Sequence, residues 1–331
     1  MRIWLLIFGL LATLLTGCSL YDERDECCGV TFHFRYLETG QDVFYDHIRS
    51  MRHFLFDGDR MFLREITDTD GNRTDEDLFA EDIKNGFYTM VSVANTTEAH
   101  TAITSLQSGV HRLEDFNLYL MNGETRTRAN GYYDNADELL YNARRFEVTE
   151  TERDFYFMDF SNVHCHLHVH LYWHKLTDYR GNFTMKLYGV PADFPLSPDS
   201  MMRVKTPTDD ESLIPSKGNS VQLVPKKMMG TVDHQIEVMP YNFKLMGEFI
   251  THRWTNEQIP VLQVFNGEKE VTRRIILSEV LKAWNIKPDS DPLQDYWLDI
   301  EVYPDGSSHV SRYVTGKVND WIDGGTVTPN E

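Results

Sequence analysis

Hydrophobic residues recur at every second position through most of the chain beyond residue 28, the spacing of strands with one buried face. The run from Val30 to Tyr36 is the first example, and residues 163–173 carry the longest clean alternation. Asp57-Gly58-Asp59 and Asn266-Gly267 separate neighbouring apolar runs and predict hairpins. The predicted strands are residues 30–36, 51–56, 61–66, 87–94, 116–121, 163–173, 183–187, 249–254, 261–265, 269–273, 296–303 and 309–318.

Helical periodicity is rare by comparison. A short helix is predicted at Asp42–Ile48, and an amphipathic one at Ile276–Trp284. Thr67–Asp77 and residues 195–220 are predicted loops, while Tyr141–Glu150 fits more than one structure. Many short strands with few helices predict an all-β protein built from β-sandwiches.

The chain is long enough for two domains, since it has 331 residues and a domain averages about 150. We predict an N-terminal β-sandwich domain over residues 29–158 and a C-terminal one over residues 159–331. The 32 Lys and Arg against 51 Asp and Glu give a net charge of −19. Such an acidic surface repels phosphates, so nucleic acid is excluded as a partner.

The first residues predict a signal peptide. Arg2 is followed by an uncharged run, Ile3–Leu15, too short for a bilayer core of about 30 Å. The sequence Leu15-Thr16-Gly17-Cys18 resembles a bacterial lipobox, in which the Cys is lipidated and becomes the new N-terminus. Residues 1–17 are then removed, and two or more acyl chains on Cys18 would hold the protein on a membrane. The alternative is an ordinary signal peptide with a chance Cys at its end.

Residues 18–28 are predicted to form a lipidated acidic tether. Asp22, Glu23, Asp25 and Glu26 suit a solvated connector, and they also resemble the export signal that sends some lipoproteins to the outer face of the outer membrane. The remaining cysteines are Cys27, Cys28 and Cys165, and their disulfide state stays open, although the odd number leaves at least one thiol unpaired.

A row of histidines alternates along the second half's longest predicted strand. His164, His166, His168 and His170 lie at every second position, and two such imidazoles can share a metal ion. A functional site would also need a third ligand and groups that orient the rings. Because every intervening residue is apolar, we predict solvated histidines on the polar side of an amphipathic strand, with no metal, and keep a metal-dependent hydrolase as an alternative.

Motifs of catalysis are missing from the sequence. Walker, GxGxxG, HExxH and GxSxG patterns are absent, and a calcium loop beginning at Asp68 fails at Arg73 and Phe79. We therefore predict no enzyme activity, no catalytic residues, no cofactor and no small-molecule substrate. Tryptophans could stack on sugars, which leaves a surface glycan-binding lipoprotein as the alternative function, although three of the four lie within amphipathic elements that favour core packing; the candidates are Trp254, Trp284, Trp297 and Trp321.

Several short motifs follow the lipobox in order along the chain. They are Cys28–Tyr36, Phe54–Asp59, Gly86–Tyr88, Val93–Asn95, His166–Tyr172, Gly247–Phe249, Ile275–Trp284 and Val318–Trp321. As an ordered set they resemble FimB-like fimbrial anchor subunits, which are outer-membrane lipoproteins related to fimbrillins. The resemblance extends over nearly the whole mature chain.

The resemblance implies two tandem transthyretin-like β-sandwich domains and a role in anchoring and terminating a fimbrial (pilus) shaft at the cell surface. Its partners would be fimbrillin-type shaft subunits, joined by strand donation, and the outer membrane, joined through the N-terminal lipid. The candidate donor segment is Val318–Glu331, with partner-binding residues Val318, Trp321, Ile322 and Val327. Asp323-Gly324-Gly325 are poor strand formers, so a disordered end is the alternative.

Overall fold

A computed structural model describes most of the chain beyond the predicted tether. The described residues are 29–38, 40–66, 76–81, 83–97, 99–121, 131–149, 154–174, 181–198, 230–241, 244–312 and 323–327. They contain strands β1 to β25 and two short α-helices, α1 (Phe44–His47) and α2 (Leu277–Ala283), so the all-β prediction is confirmed. No helix in these ranges is long and apolar enough to cross a membrane.

A three-stranded and a five-stranded sheet face each other in the first half of the chain. The three-stranded sheet has the order β12–β1–β6, with β1 at Gly29–Arg35, β6 at Asp77–Glu81 and β12 at Asp154–Asp159. The five-stranded sheet has the order β13–β11–β7–β4–β5, with β4 at Met51–Asp57, β5 at Phe62–Ile66, β7 at Gly86–Ala94, β11 at Leu140–Val148 and β13 at Ser161–Asn162. A small hairpin, β2 (Leu37–Glu38) with β3 (Gln41–Asp42), precedes α1.

The five-stranded sheet is buried on both faces. One face packs on β1 and its neighbours through Leu55 and Met90, and the other buries Phe54 and Phe56. A third layer, the small sheet β16–β9–β8, contributes to this second core with β8 at Thr101–Ile103, β9 at Asn117–Leu120 and β16 at Asp193–Pro195. The continuous apolar run Phe54-Leu55-Phe56 is typical of such a strand, because each face needs apolar side chains.

The second half forms a larger sandwich. One sheet has the order β18–β19–β14–β23–β24–β25, with β14 at His164–Trp173, β18 at Pro240–Tyr241, β19 at Lys244–His252, β23 at Asp295–Val302, β24 at Ser308–Arg312 and β25 at Asp323–Val327. The other has the order β10–β17–β15–β20–β21, with β10 at Tyr132–Tyr133, β15 at Phe183–Pro191, β17 at Thr231–Val238, β20 at Val261–Asn266, β21 at Lys269–Glu270 and β22 (Ile275–Ile276) paired to β20. Two short 3-10 helices lie at Leu113–Asp115 and Pro288–Ser290.

The core of this second sandwich is filled by the odd-numbered residues of β14, from Cys165 to Leu171, facing side chains such as Met185 of β15. The two sheets approach closely at Gly247 of β19. A Cβ atom there would lie 2.8 Å from both Met185 Sδ and Ile236 Cδ1. Glycine at this position therefore permits the inter-sheet packing.

The two halves exchange short strands. β10, from the first half, pairs with β17 of the second sandwich, and β16, from the second half, pairs with β9. The buried Arg253 donates a hydrogen bond to the Pro292 carbonyl oxygen (2.6 Å) and one to the Asn162 carbonyl oxygen (3.4 Å). Burial lowers the pKa of Arg253, and these carbonyls compensate for its lost hydration. The division of the chain at residue 158 stays a prediction.

The sequence pattern left one segment open and misplaced the bounds of others. Of the ambiguous segment Tyr141–Glu150, residues 141–148 belong to strand β11; alternation is lost over residues 140–143, where both faces are buried, while Arg145 and Glu147 farther along are exposed. The strand predicted at 249–254 begins at Lys244, and that predicted at 269–273 is only Lys269–Glu270. The predicted loop Thr67–Asp77 lies largely outside the described residues, although Asp77 begins β6. Most of the predicted loop at 195–220 also lies outside the described residues.

Candidate functional site

Strand β1 is the middle strand of its sheet. It runs parallel to β12, with Phe32 opposite Tyr156, and antiparallel to β6, with Phe32 opposite Leu78. Backbone groups of β1 are thus paired along both sides. A chain without this strand would expose the edges of β12 and β6 and leave a groove between them.

The inward face of β1 is apolar and fills the space that would otherwise be this groove. Val30, Phe32 and Phe34 have no solvent exposure. The Phe32 ring meets the Phe146 ring edge-on at 5.0 Å, and the Phe34 ring stacks on His53 at 4.9 Å. Each of these buried side chains stabilises the fold by about 1.5–3 kcal/mol through the hydrophobic effect.

Polar contacts tie the outward face of β1 to both neighbouring strands. Arg35 donates from Nε to Asp159 Oδ1 on β12 (2.7 Å), and its guanidinium lies 4.2 Å from the centre of the Phe157 ring. On the other side, His33 Nδ1 lies 2.8 Å from Asp77 Oδ1 on β6. These exposed pairs add little energy compared with the buried face.

The predicted lipidation residue, Cys18, and the tether lie outside the described residues, as do Cys27 and Cys28. The described chain begins at Gly29, the first residue of β1. Eleven residue steps separate Cys18 from Gly29, so the tether could extend at most about 40 Å. Any load on Cys18 would therefore reach the fold through β1.

The candidate donor segment lies mainly outside the described residues: Val318, Trp321 and Ile322 are not described, whereas Val327 ends β25. The expectation that Asp323-Gly324-Gly325 resist strand formation is wrong, because Asp323–Val327 pairs with β24. Val327 is opposite Ser308 and Asp323 is opposite Ser311, with a register shift between them. Such a shift is a β-bulge, and glycine is suited to a bulge.

The histidines of β14 lie on the outer face of their sheet, as predicted, but they are not solvated. The side chains of His166, His168 and His170 are 18%, 18% and 12% exposed. Carboxylates from neighbouring strands face them: His170 Nδ1 lies 3.2 Å from Asp299 Oδ1, and His168 Nε2 lies 3.2 Å from Asp295 Oδ1. The sequence could not reveal these partners, because they come from the parallel strand β23.

Glu248 of β19 faces two of these rings at once. Its Oε1 lies 3.1 Å from His166 Nδ1 and 3.6 Å from His168 Nδ1. The far nitrogen of His166, Nε2, lies 3.6 Å from Glu138 Oε1. Trp297 stacks on His168 with the ring centres 3.9 Å apart. The hydrogen bond from His168 is the main cause that lowers the pKa of Asp295.

Other sequence candidates are core residues. Trp254 and Trp284 are buried, so neither offers a face to a sugar, and Trp321 lies outside the described residues. Cys165 is a free, buried thiol whose pKa is raised well above its usual range by desolvation. His164 is also buried, which lowers its pKa to about 3.

The sequence was compared with models of protein families and with curated protein sequences. The model of the family described as "Fimbrillin-A associated anchor proteins Mfa1 and Mfa2" matches residues 24–322. No curated protein sequence matches the chain.

Three solved structures share the fold over almost their whole lengths. The fimbrial anchor protein Mfa2 from Porphyromonas gingivalis is 13% identical, with a TM-score of 0.61 over 89% of this chain and 98% of that one. A candidate adhesin from Bacteroides ovatus is 14% identical, with a TM-score of 0.61 over 89% and 96%. A candidate polysaccharide-binding protein from Bacteroides thetaiotaomicron is 13% identical, with a TM-score of 0.59 over 87% and 99%. At these identities the likeness establishes the fold.

Proposed function

The chain belongs to the family of Fimbrillin-A associated anchor proteins Mfa1 and Mfa2, and from this membership we propose that it is a non-enzymatic outer-membrane lipoprotein that anchors and terminates a fimbrial shaft. Its partners are fimbrillin-type shaft subunits and, through an N-terminal lipid, the outer membrane. The observation that carries the proposal is the central, buried position of β1 directly after the predicted tether.

Lipid on Cys18 supplies the attachment. Each buried methylene contributes about 0.8 kcal/mol, so two or more acyl chains hold a protein stably while one does not. The extended length of the acidic tether sets the greatest distance between the membrane surface and the sandwiches. Force on the shaft passes through the sandwiches into β1, and from β1 to Cys18.

Strand donation explains how such a subunit ends a polymer. A subunit that loses its first strand opens a groove that the next subunit's extended segment can fill. In this protein the groove is filled in cis by Val30, Phe32 and Phe34, which have no exposure. A subunit that keeps β1 has no acceptor groove, so it joins the polymer only as a donor and stands at one end.

The C-terminal segment is the proposed donor. β25 lies at the edge of its six-stranded sheet and has one described neighbour, β24, with a bulge in their pairing. A strand held along one side exchanges partners more readily than one held along both. We propose that the segment from Val318 to Glu331, with Val318, Trp321, Ile322 and Val327, pairs with the adjoining shaft subunit.

Membrane attachment is tested by the substitution Cys18→Ala, with Cys28→Ala as the matched control within the tether. We expect Cys18→Ala to leave the outer-membrane fraction and to release shafts from cells, while Cys28→Ala remains attached. Equal membrane fractions for the two variants would contradict the lipid anchor.

The donor role is tested by deleting residues 323–331, with deletion of residues 328–331 as the control that retains β25. The longer deletion should abolish co-purification with shaft subunits, and the shorter one should preserve it. Unchanged attachment in both variants would remove the donor role. Binding to an immobilised polysaccharide without any shaft subunit would instead favour a glycan-binding lipoprotein.

A further inference from the structure

We propose that His166, His168 and Glu248 form a binding site for a divalent transition-metal ion of the zinc class. The site lies on the outer face of the six-stranded sheet of the second sandwich. It is distinct from the proposed anchoring contacts of β1 and β25, and it does not depend on them.

The carboxylate of Glu248 already stands near the tetrahedral zinc spacing from a nitrogen of each histidine. One ligand atom from each of the three side chains lies within 4.8 Å of the other two. Glu248 Oε1 is 3.1 Å from His166 Nδ1 and 3.6 Å from His168 Nδ1. Two ligands on a tetrahedral zinc ion, each at about 2.0–2.1 Å from the metal, are about 3.3 Å apart. The observed distances bracket that value, so small side-chain movements would place a metal among the three atoms.

A second pair of carboxylates faces the outer nitrogens of the two rings. His168 Nε2 lies 3.2 Å from Asp295 Oδ1, and His166 Nε2 lies 3.6 Å from Glu138 Oε1. Each imidazole thus has one nitrogen facing Glu248 and the other facing an acid outside the trio. At His168 this matches the carboxylate–histidine–metal arrangement, in which the outer acid accepts the ring N–H and leaves the inner nitrogen free to bind the ion; at His166 the outer acid lies at ion-pair distance.

The site is partly preorganised. Trp297 stacks on His168 at 3.9 Å with an angle of 16° between the rings, and the rings of His166 and His168 are parallel within 13°. Ordered, half-buried rings lose little rotamer entropy on binding, which favours a specific site over loose surface coordination. Two imidazoles with one carboxylate is the ligand set of several zinc sites, which keep a further position open for water.

Bound metal would connect three parts of the molecule. It would join β14 to β19 directly, and through Glu138 it would hold the segment that precedes β11 in the first half. That segment already pairs with β19, since Ala136 N donates to the Ile250 carbonyl oxygen (2.7 Å) and Asn135 Nδ2 donates to the Glu248 carbonyl oxygen (3.0 Å). The expected role of the ion is to stabilise the junction between the halves.

The chain contains a matched control for this proposal. His33, Glu76 and Asp77 also bring three candidate ligand atoms together, but this group has a single imidazole and two carboxylates. Zinc favours nitrogen ligands more than calcium or magnesium do, so this second group should bind it more weakly. His33→Gln therefore tests whether zinc uptake depends on the β14 site.

The experiment is zinc titration of the purified full-length chain by calorimetry, with metal content measured after gel filtration. We expect one zinc ion per chain and a rise in Tm with zinc, because the ion binds only the folded state. His168→Gln and Glu248→Gln should lose retained zinc, and Asp295→Asn should weaken affinity about 10–100-fold. His33→Gln and His174→Gln should bind as the parent does.

Folding of each variant is checked by its metal-free Tm, and Glu248, exposed at the surface, is the substitution least expected to disturb packing. A parent chain that retains no zinc would overturn the proposal. Equal zinc affinity in the parent, His168→Gln and Glu248→Gln would overturn it as well, since the ion would then lie elsewhere.

Discussion

The first and last described strands of this chain differ in their position within a sheet, since β1 is a central strand and β25 is an edge strand. β1 lies between two neighbours, and its inward side chains Val30, Phe32 and Phe34 are completely buried. β25 lies at the edge of its sheet and pairs with β24 across a bulge that includes glycine. The N-terminal strand is thus integrated into a core, whereas the C-terminal strand is attached along one side.

This difference suits an anchor with two unlike ends. In the proposed role, the end that carries the predicted lipid must resist extraction under load, because its release would detach the shaft. The end proposed to meet a shaft subunit must be able to leave one edge and join another. Burial of β1 provides the resistance to extraction, and the edge position of β25 permits the exchange of partners.

The strongest disruption of this comparison should come from the buried face of β1. We expect Phe32→Ala to lower the free energy of unfolding by about 3–5 kcal/mol, because it leaves a cavity beside Phe146. Urea denaturation measures the loss. His33→Ala, on the outward face of the same strand, should cost less than about 1 kcal/mol. Equal losses for the two variants would show that β1 is not held by its buried face.

Acid should affect the two halves unequally. Burial lowers the pKa of His164 and His234 to about 3 and that of His252 to about 4 in the second half, whereas in the first half it lowers that of His53 to about 4. The unfolded chain binds these protons at about pH 6.5, so stability is complete above that pH. Stability falls as the pH drops below about 6.5 towards the folded pKa, because the unfolded chain then binds protons that the folded chain does not.

We therefore expect the second sandwich to lose more stability than the first between pH 7 and pH 5. The measurement is amide hydrogen exchange in denaturant, corrected for intrinsic rates. Exchange in β14 reports the stability of the second sandwich, and exchange in β1 reports that of the first. Equal losses in the two strands would contradict the role of burial at these histidines.

Removing β25 should have a much smaller effect on stability. Deletion of residues 323–331 is expected to lower the free energy of unfolding by no more than about 1 kcal/mol, because strands at chain ends open with little cost. Urea denaturation of the deletion and of the parent gives the difference. A loss as large as that from Phe32→Ala would mean that the two terminal strands are held alike.

The smallest effect concerns the outer contacts of β1. Arg35 and Asp159 form a partly exposed ion pair, so a double-mutant cycle with Arg35→Met and Asp159→Asn should give a coupling of about 0.2–1 kcal/mol. The coupling should decrease in high salt. A value of several kcal/mol would place the strength of β1 in its outer contacts instead of its buried face.

Alternation along the sequence was sufficient to predict β1 and the core face of β14. In both strands one face is apolar and the other is polar, so the period of two is visible. It was insufficient for the first part of β11, residues 140–143, where both faces are buried and the alternation disappears. The bounds of β25 were missed because its glycines disfavour a strand locally, while pairing to β24 allows one.

The histidine face shows a different limit. The position of His166 and His168 on the outer face follows from periodicity alone. Their partners do not, because Glu248 is on β19 and Asp295 is on β23, and the register of the parallel β14–β23 pair has no local sequence signal. Burial of the rings, and the acid on each far nitrogen, become visible only when the strands are assembled.

Mass spectrometry of the mature N-terminus, on protein isolated from intact fimbriae, is the most direct test of the anchor. The account predicts a chain that begins at Cys18, carries two or more acyl groups and retains the whole of Gly29–Arg35. A chain that begins after Arg35, or an unmodified Cys18 thiol on secreted protein, would contradict it.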